Sequence, residues 1–245
     1  MRCVLMVGLS GRQSSPTSIG NMTRALAVAI DGPAGAGKST VSRALALKTG
    51  FALLDTGAMY RAYTWAYLKD RESYPHISIA ESAIRHEISV TFHEGSTLVR
   101  CDGRDITRDI RSVEVTAAVS EVSAVAEVRD LAVELQRHTV ATELSSGRGV
   151  ILEGRDIGST VLPNAEVKFF LTADPSARAA RRGLETGQEV SEVIELIQAR
   201  DLADSTREQS PLRKAEDAIE IDATHLSADE VVEVMHSRIL DVASL

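Results

Sequence analysis

"AVAIDGPAGAGKST", residues 27–40, runs from a continuously apolar stretch into a glycine-rich turn and closes on Lys38-Ser39-Thr40. An apolar run without alternation is the pattern of a strand covered on both faces, as in a parallel sheet. The turn Gly32-Pro33-Ala34-Gly35-Ala36-Gly37-Lys38-Ser39 has the spacing G-x-x-x-x-G-K-[ST]. Its glycines let successive backbone N–H groups curl around an anion, and the next helix adds its positive N-terminus. Lys38 can then reach the β- and γ-phosphates of a nucleoside triphosphate, and the Ser39 hydroxyl can ligate Mg2+. A buried strand before the motif and a helix after it supply the context that a chance match lacks. Residues 32–40 therefore predict a donor site for ATP with Mg2+. What they leave open is the acceptor: water, a protein, a sugar or another nucleotide.

Outward from this turn, four more short runs read as strands: "FALLD" (51–55), "VILE" (150–153), "VKFFL" (167–171) and "AIEID" (218–222). Helical stretches separate them, among them 38–48 and 57–69, and "SADE" (227–230) is a capping box opening the last helix. Asp174-Pro175 reads as an N-cap followed by proline at the first helical position. Strand alternating with helix predicts a parallel α/β sheet. Between 71 and 108 the pattern changes to "EISVTF", "TLVRCD" and "GRDIT", turned by "HEGS" and "DG". That predicts a small antiparallel insertion. Helices over 112–124 and 126–143 follow it.

The composition narrows the partners. Among 245 residues, 27 Lys and Arg stand against 35 Asp and Glu, a formal charge of −8. Neither nucleic acid nor an anionic membrane is favoured by so acidic a chain. The two cysteines, Cys3 and Cys101, and the six histidines have no metal-type spacing, which argues against zinc and for a reducing cytoplasm. Residues 1–24 read as a disordered extension, with Met22 a possible start.

In this acidic chain the arginines cluster. "LLDTGAMYR" (53–61) places Arg61 one turn into a helix after a strand, and "EGRDIG" (153–158) sets Arg155-Asp156 after another. Open parallel sheets bind ligands at the carboxyl ends of their strands, so these loops face one crevice. Further on, "ARAARR" (177–182) brings Arg178, Arg181 and Arg182 together at the start of a helix. Arg200, Asp204 and Arg207 are spaced to share one helical face behind apolar Val190, Val193, Ile194 and Ile197.

"IDGPAGAGKST", "LLDTGAMYR", "LEGRDIG", "LPNAEVKFFLTAD" and "RDLADSTREQSPL", in this order, resemble the bacterial cytidylate kinases over about residues 25–240. The resemblance implies a P-loop nucleoside monophosphate kinase fold with a five-stranded parallel core. It also implies an acceptor-binding insertion (71–108) and a lid (178–207) within one kinase domain, 25–245. ATP would phosphorylate CMP or dCMP, with Mg2+ on Ser39 and Glu153 near it. By the same resemblance Lys38, Arg155, Arg178 and Arg182 serve the transfer, and Arg61, Arg155 and Arg207 hold the CMP phosphate. Arg200 and Asp204 hold the ribose, and Thr56, Thr107, Arg111 and Asp156 read the cytosine. A cytoplasmic monomer is the implied form. The competing acceptors on the same core are UMP, AMP or a shikimate-like molecule, and a P-loop ATPase that moves a partner is the alternative class.

Overall fold

The computed structural model describes residues 24–93, 95–187, 189–207 and 209–244. Its first half comprises β1 (Ala27–Asp31), α1 (Lys38–Thr49), β2 (Ala52–Asp55), α2 (Thr56–Ser73) and α3 (Ile79–Arg85), then β3 (Ile88–His93), β4 (Ser96–Cys101) and β5 (Arg104–Asp105). Next come α4 (Val113–Val122), α5 (Ala126–Ser145), β6 (Val150–Glu153) and β7 (Val167–Thr172). The chain continues through α6 (Pro175–Thr186), α7 (Val190–Thr206), β8 (Ile219–Asp222) and α8 (Ala228–Ala243). The five expected core strands form one parallel sheet in the order β2-β6-β1-β7-β8.

Alternation along β1 divides the core. Ala27 and Ala29 face a cluster with Leu54, Met59 and Ala132 of β2, α2 and α5. Val28 and Ile30 face another with Leu45 and Met235 of α1 and α8. Both faces are thus covered by helices, which is why the strand reads as apolar throughout. Fully burying one such Leu, Ile or Met contributes about 1.5–3 kcal/mol. A third, smaller cluster of Ala34, Ala179, Val193 and Ile197 packs α6 and α7 against the glycine-rich turn.

The insertion forms a three-stranded antiparallel sheet, β3-β4-β5. Asp102 and Gly103, between β4 and β5, both have positive φ (49° and 78°), the backbone that a tight hairpin turn demands. Thr97 of β4 fastens this sheet to β2: its hydroxyl donates to Leu53 O and accepts from Asp55 N.

Several expectations need correction. Helix α3 was not anticipated, although the Ser78–Glu81 capping box at its start is legible in "SIAE". The 57–69 helix extends over Thr56–Ser73, and those at 112–124 and 126–143 run Val113–Val122 and Ala126–Ser145. Val190 is exposed rather than packed. Arg207 is not on a helical face, since α7 ends at Thr206 and Arg207 has extended backbone. Asp174 does cap α6 with Pro175 behind it, but its side chain makes no capping bond. Of the extension expected over residues 1–24, all but Arg24 lies outside the described residues.

Candidate functional site

Strands β2, β6 and β1 are neighbours, and their carboxyl ends are in register: Glu153 pairs with Ile30 on one side and Asp55 on the other. The loops that follow them therefore open side by side. After β1 the chain must turn at once, and Gly32 allows it. With φ at 150°, a Cβ there would stand 2.0 Å from Leu171 O. Lys38, buried at the first turn of α1, donates to Gly32 O and Pro33 O, both at 2.8 Å, and so folds back over the loop. Burial, and then the charges of Arg155 and Arg200, hold its ammonium well below the usual lysine range. Ser39 Oγ donates to Glu153 Oε1 at 2.8 Å. Glu153 Oε2 is buried and, among the described residues, has no partner. Burial first, and then the Asp55 charge, push the Glu153 carboxyl up to about 7. A carboxylate oxygen left unpaired beside a P-loop serine is a fitting ligand environment for Mg2+.

Asp31, at the end of β1, accepts from Ile157 N (2.8 Å) and Gly158 N (2.7 Å). It thereby fixes the turn that follows β6 and aims Arg155 and Asp156. Arg155 donates through Nε to Asp204 Oδ2 at 2.9 Å. Arg207 lies 3.5 Å from Asp204 Oδ1 and 3.4 Å from Asp156 Oδ1. Arg61 donates to Thr116 Oγ1 at 2.8 Å, and Asp55, Arg111 and Arg182 are its charged neighbours. Arg200 has a buried Nε that finds no acceptor among the described residues. Burial, and then the charges of Arg155, Arg61 and Arg182, lower the Arg200 guanidinium to about 10, so it stays charged at neutral pH. Arg155 and Arg200 thus crowd Lys38, and Arg155, Arg61 and Arg182 crowd Arg200, with Asp204, Asp55 and Glu153 offsetting part of the repulsion. Such crowding is the reverse of what folding alone selects, and an anion relieves it.

Four expected residues have other surroundings. Arg178 is buried and donates to Ala173 O (3.0 Å) and Ala34 O (2.9 Å), and also to Asp201. Asp201 Oδ1 in turn accepts from Ala34 N at 2.9 Å. Arg178 therefore braces the P-loop rather than pointing into the crevice. Thr107 accepts from Val99 N at 2.9 Å within the insertion sheet. Arg111, exposed, approaches Asp55 Oδ2 at 3.5 Å on the rim. Thr56 is buried and donates to Glu153 O at 2.7 Å.

Arg129 was missed. It is buried on α5, and its Nη2 meets Asp156 Oδ2 at 2.6 Å. Its guanidinium carbon stands 5.3 Å from the centre of the Tyr60 ring. The only hint in sequence is a charged residue on the apolar side of α5, next to Val128 and one turn before Ala132.

Comparison with known proteins follows the same lines. The cytidylate kinase family model matches residues 28–240. A cytidylate kinase of Streptomyces avermitilis is 48% identical over 211 residues, covering 85% of this chain and 90% of that protein. A cytidylate kinase of Caldicellulosiruptor bescii is 48% identical over 213 residues, covering 84% and 92%. One from Lactobacillus johnsonii is 46% identical over 211 residues, covering 84% and 90%. Matched by the family model over nearly all its described length, and by relatives at close to half identity, the chain belongs to the cytidylate kinase family.

Proposed function

We propose that the crevice carries the γ-phosphoryl group of ATP to the phosphate of CMP or dCMP, with the residues above in the following roles. Phosphoryl transfer needs positioning and charge stabilisation more than a protein base. The acceptor is a phosphate oxygen, ionised at neutral pH, and so no catalytic histidine is required. Two polyanions must instead be brought together against their repulsion. Residues 32–40 hold the ATP phosphates, with Lys38 beside the group that moves. Ser39 and Glu153 would hold Mg2+, which when bound neutralises charge between the β- and γ-phosphates. Arg61, Arg155 and Arg207 take the CMP phosphate, and Arg182 spreads charge at the reacting group. Arg200 and Asp204 serve the ribose. The observation that carries this reading is geometric: Lys38 folds over the P-loop beside Ser39 and Glu153, and Arg155 and Arg207 gather around Asp204 and Asp156 next to them.

For the base, cytosine offers an amino donor beside the N3 and O2 acceptors. Asp156 suits the amino group, as a carboxylate does in major-groove readout of cytosine. Its neighbour Arg129 suits the acceptors, and takes over the part expected of Thr107 and Arg111. Uracil would turn a carbonyl oxygen to the carboxylate, and an unpaired buried polar group costs about 1–3 kcal/mol or more. The reducing cytoplasm, where ATP and CMP occur together, is the setting that the acidic chain and its sparse cysteines favour. No described helix is long and apolar enough to cross a membrane.

The test is ATP-dependent phosphorylation of a panel of CMP, dCMP, UMP, AMP and shikimate, with Lys38→Ala as control. CMP and dCMP should be the preferred acceptors, and Lys38→Ala should abolish turnover. A preference for another acceptor, or ATP hydrolysis without transfer, would refute the assignment.

A further inference from the structure

Away from the crevice, the insertion gathers three donor side chains that sequence spacing keeps apart. We propose that His86, Cys101 and Asp102 form a binding site for a zinc-type divalent cation that staples the insertion to the core. His86 follows α3, Cys101 ends β4, and Asp102 opens the next turn. One donor atom from each lies within 4.8 Å of the others. His86 Nδ1 is 2.6 Å from Asp102 Oδ2, and Cys101 Sγ is 3.8 Å from the same oxygen.

The second nitrogen of His86 decides what lies between these atoms. Nε2 is 3.1 Å from Asp70 Oδ2 of α2. A carboxylate can only accept, and so Nε2 carries hydrogen. Nδ1 faces a second carboxylate oxygen at 2.6 Å, so without a metal the ring holds a proton on this nitrogen too. Against the opposing effect of burial, the two carboxylates raise its pKa above the usual histidine value. Two lone pairs so close need a cation with them, either a proton or a metal. The thiol beside the same oxygen supplies a third donor, which a proton does not need and a metal does. A carboxylate on the far nitrogen of a ligating histidine is also the usual outer partner of a zinc site. Around a tetrahedral zinc ion such donors stand roughly 3.3–3.6 Å apart, a small adjustment from the present separations.

The backbone is arranged for the same end. Asp102 has φ of 49°, a left-handed conformation uncommon for a residue with a side chain. Its Oδ1 accepts from Glu87 N at 2.8 Å, which leaves Oδ2 for the cluster. Cys101 is buried while Asp102 is exposed, so an ion can enter from solvent and keep water in its fourth position. Sulfur, imidazole and carboxylate together select zinc over magnesium. Once filled, the site would join α3 and the β4–β5 turn, with α2 tied in through Asp70.

The probe is Co2+ added to the full chain after chelator treatment, followed by Zn2+. One equivalent of Co2+ should bring in a thiolate-to-cobalt charge-transfer band in the near ultraviolet. Zn2+ should remove the band and raise the melting temperature. Cys101→Ser and His86→Gln should lose the band, Cys3→Ser should keep it, and Asp70→Asn should weaken Zn2+ about ten- to hundredfold. CMP phosphorylation by each variant, measured alongside, reports that it has folded. Absence of the band in the unaltered chain overturns the site, as does a band that survives Cys101→Ser. A melting temperature that follows pH but ignores zinc also overturns it, because a proton is then the sole cation.

Discussion

Replacing Asp156 by alanine separates the stability of the crevice from its chemistry. The Arg129 and Asp156 side chains are 3% and 6% exposed and meet at 2.6 Å. Asp156→Ala leaves the Arg129 guanidinium buried with its charge uncompensated, and Arg129 Nε already has no partner among the described residues. Breaking one half of a buried pair costs about 3–5 kcal/mol. For a chain of this size each kcal/mol shifts the melting temperature by about 2–4 °C, which gives a fall of about 6–20 °C. The double variant Arg129→Met/Asp156→Leu removes both charges together and fills the space with apolar volume. Most of the lost stability should return in it, since apolar replacement of a buried pair is often neutral or better. Activity should not return. Both variants should bind ATP on an intact P-loop yet lose the preference for CMP over UMP. Thermal melts, ATP titration, and kcat/KM for CMP and UMP in all three proteins make the comparison. A single variant that melts within about 2 °C of the parent would refute the buried-charge argument. A double variant that keeps its CMP preference would show that neither residue reads the base.

Two further substitutions test the framework beneath the site. Asp201→Asn can accept from Ala34 N or from Arg178 but not from both, and its new N–H group opposes the donor left over. One lost buried hydrogen bond, about 1–3 kcal/mol, should raise KM for ATP about five- to hundredfold and leave KM for CMP near the parent value. Equal rises in both would mean that Asp201 supports α7 as a whole instead of the P-loop. Asp31 has its carboxyl pushed up to about 6, chiefly by burial, from 3.8. The folded chain therefore holds a proton there that the unfolded chain has already lost, and this group's contribution falls as pH rises from about 4 to about 6. The difference is of order 3 kcal/mol. Asp31→Asn lacks that fall, so its stability deficit should narrow by about this amount across the window. Urea unfolding at both ends measures it, and parallel stability curves would contradict it.

The parts of the molecule that could be read in advance are those where one local pattern fixes both structure and place. β1 and residues 32–40 carry a buried strand, a glycine turn and a helix start in a single stretch, and the turn has to open at the sheet's carboxyl edge. The places of Arg61 and Arg155 were legible for the same reason: one stands early in the helix after β2 and the other in the turn after β6, strands whose ends the topology locates. Arg207 was misjudged because periodicity continues through "RDLADSTR" without a glycine or proline to mark where α7 stops. Arg178 was expected to serve the transfer because sequence shows where charge is dense, and not that Ala34 and Asp201 lie within its reach. His86 and Cys101, fifteen positions apart in chain order, meet only because β4 and α3 return to the same end of α2.

Arg129 shows where such reading stops. Of the groups proposed to meet phosphate, Lys38, Arg61 and Arg155 stand in the loops and opening helical turns that follow β1, β2 and β6. Sheet order is enough to place those segments side by side. Those proposed to meet the base include a side chain from the first turn of a twenty-residue helix, α5. Which way that side chain points depends on the rotation of α5 about its own axis, set by how Val128, Ala132 and Leu135 pack into the core. A helical wheel finds the apolar face but cannot distinguish a charge carried inward to a partner from one at the edge of that face. Only Asp156, 27 residues further on, resolves it. Anion binding in this fold can thus be read from topology, whereas base recognition depends on side-chain packing, and single-residue changes in α5 should alter acceptor choice while leaving the donor site intact.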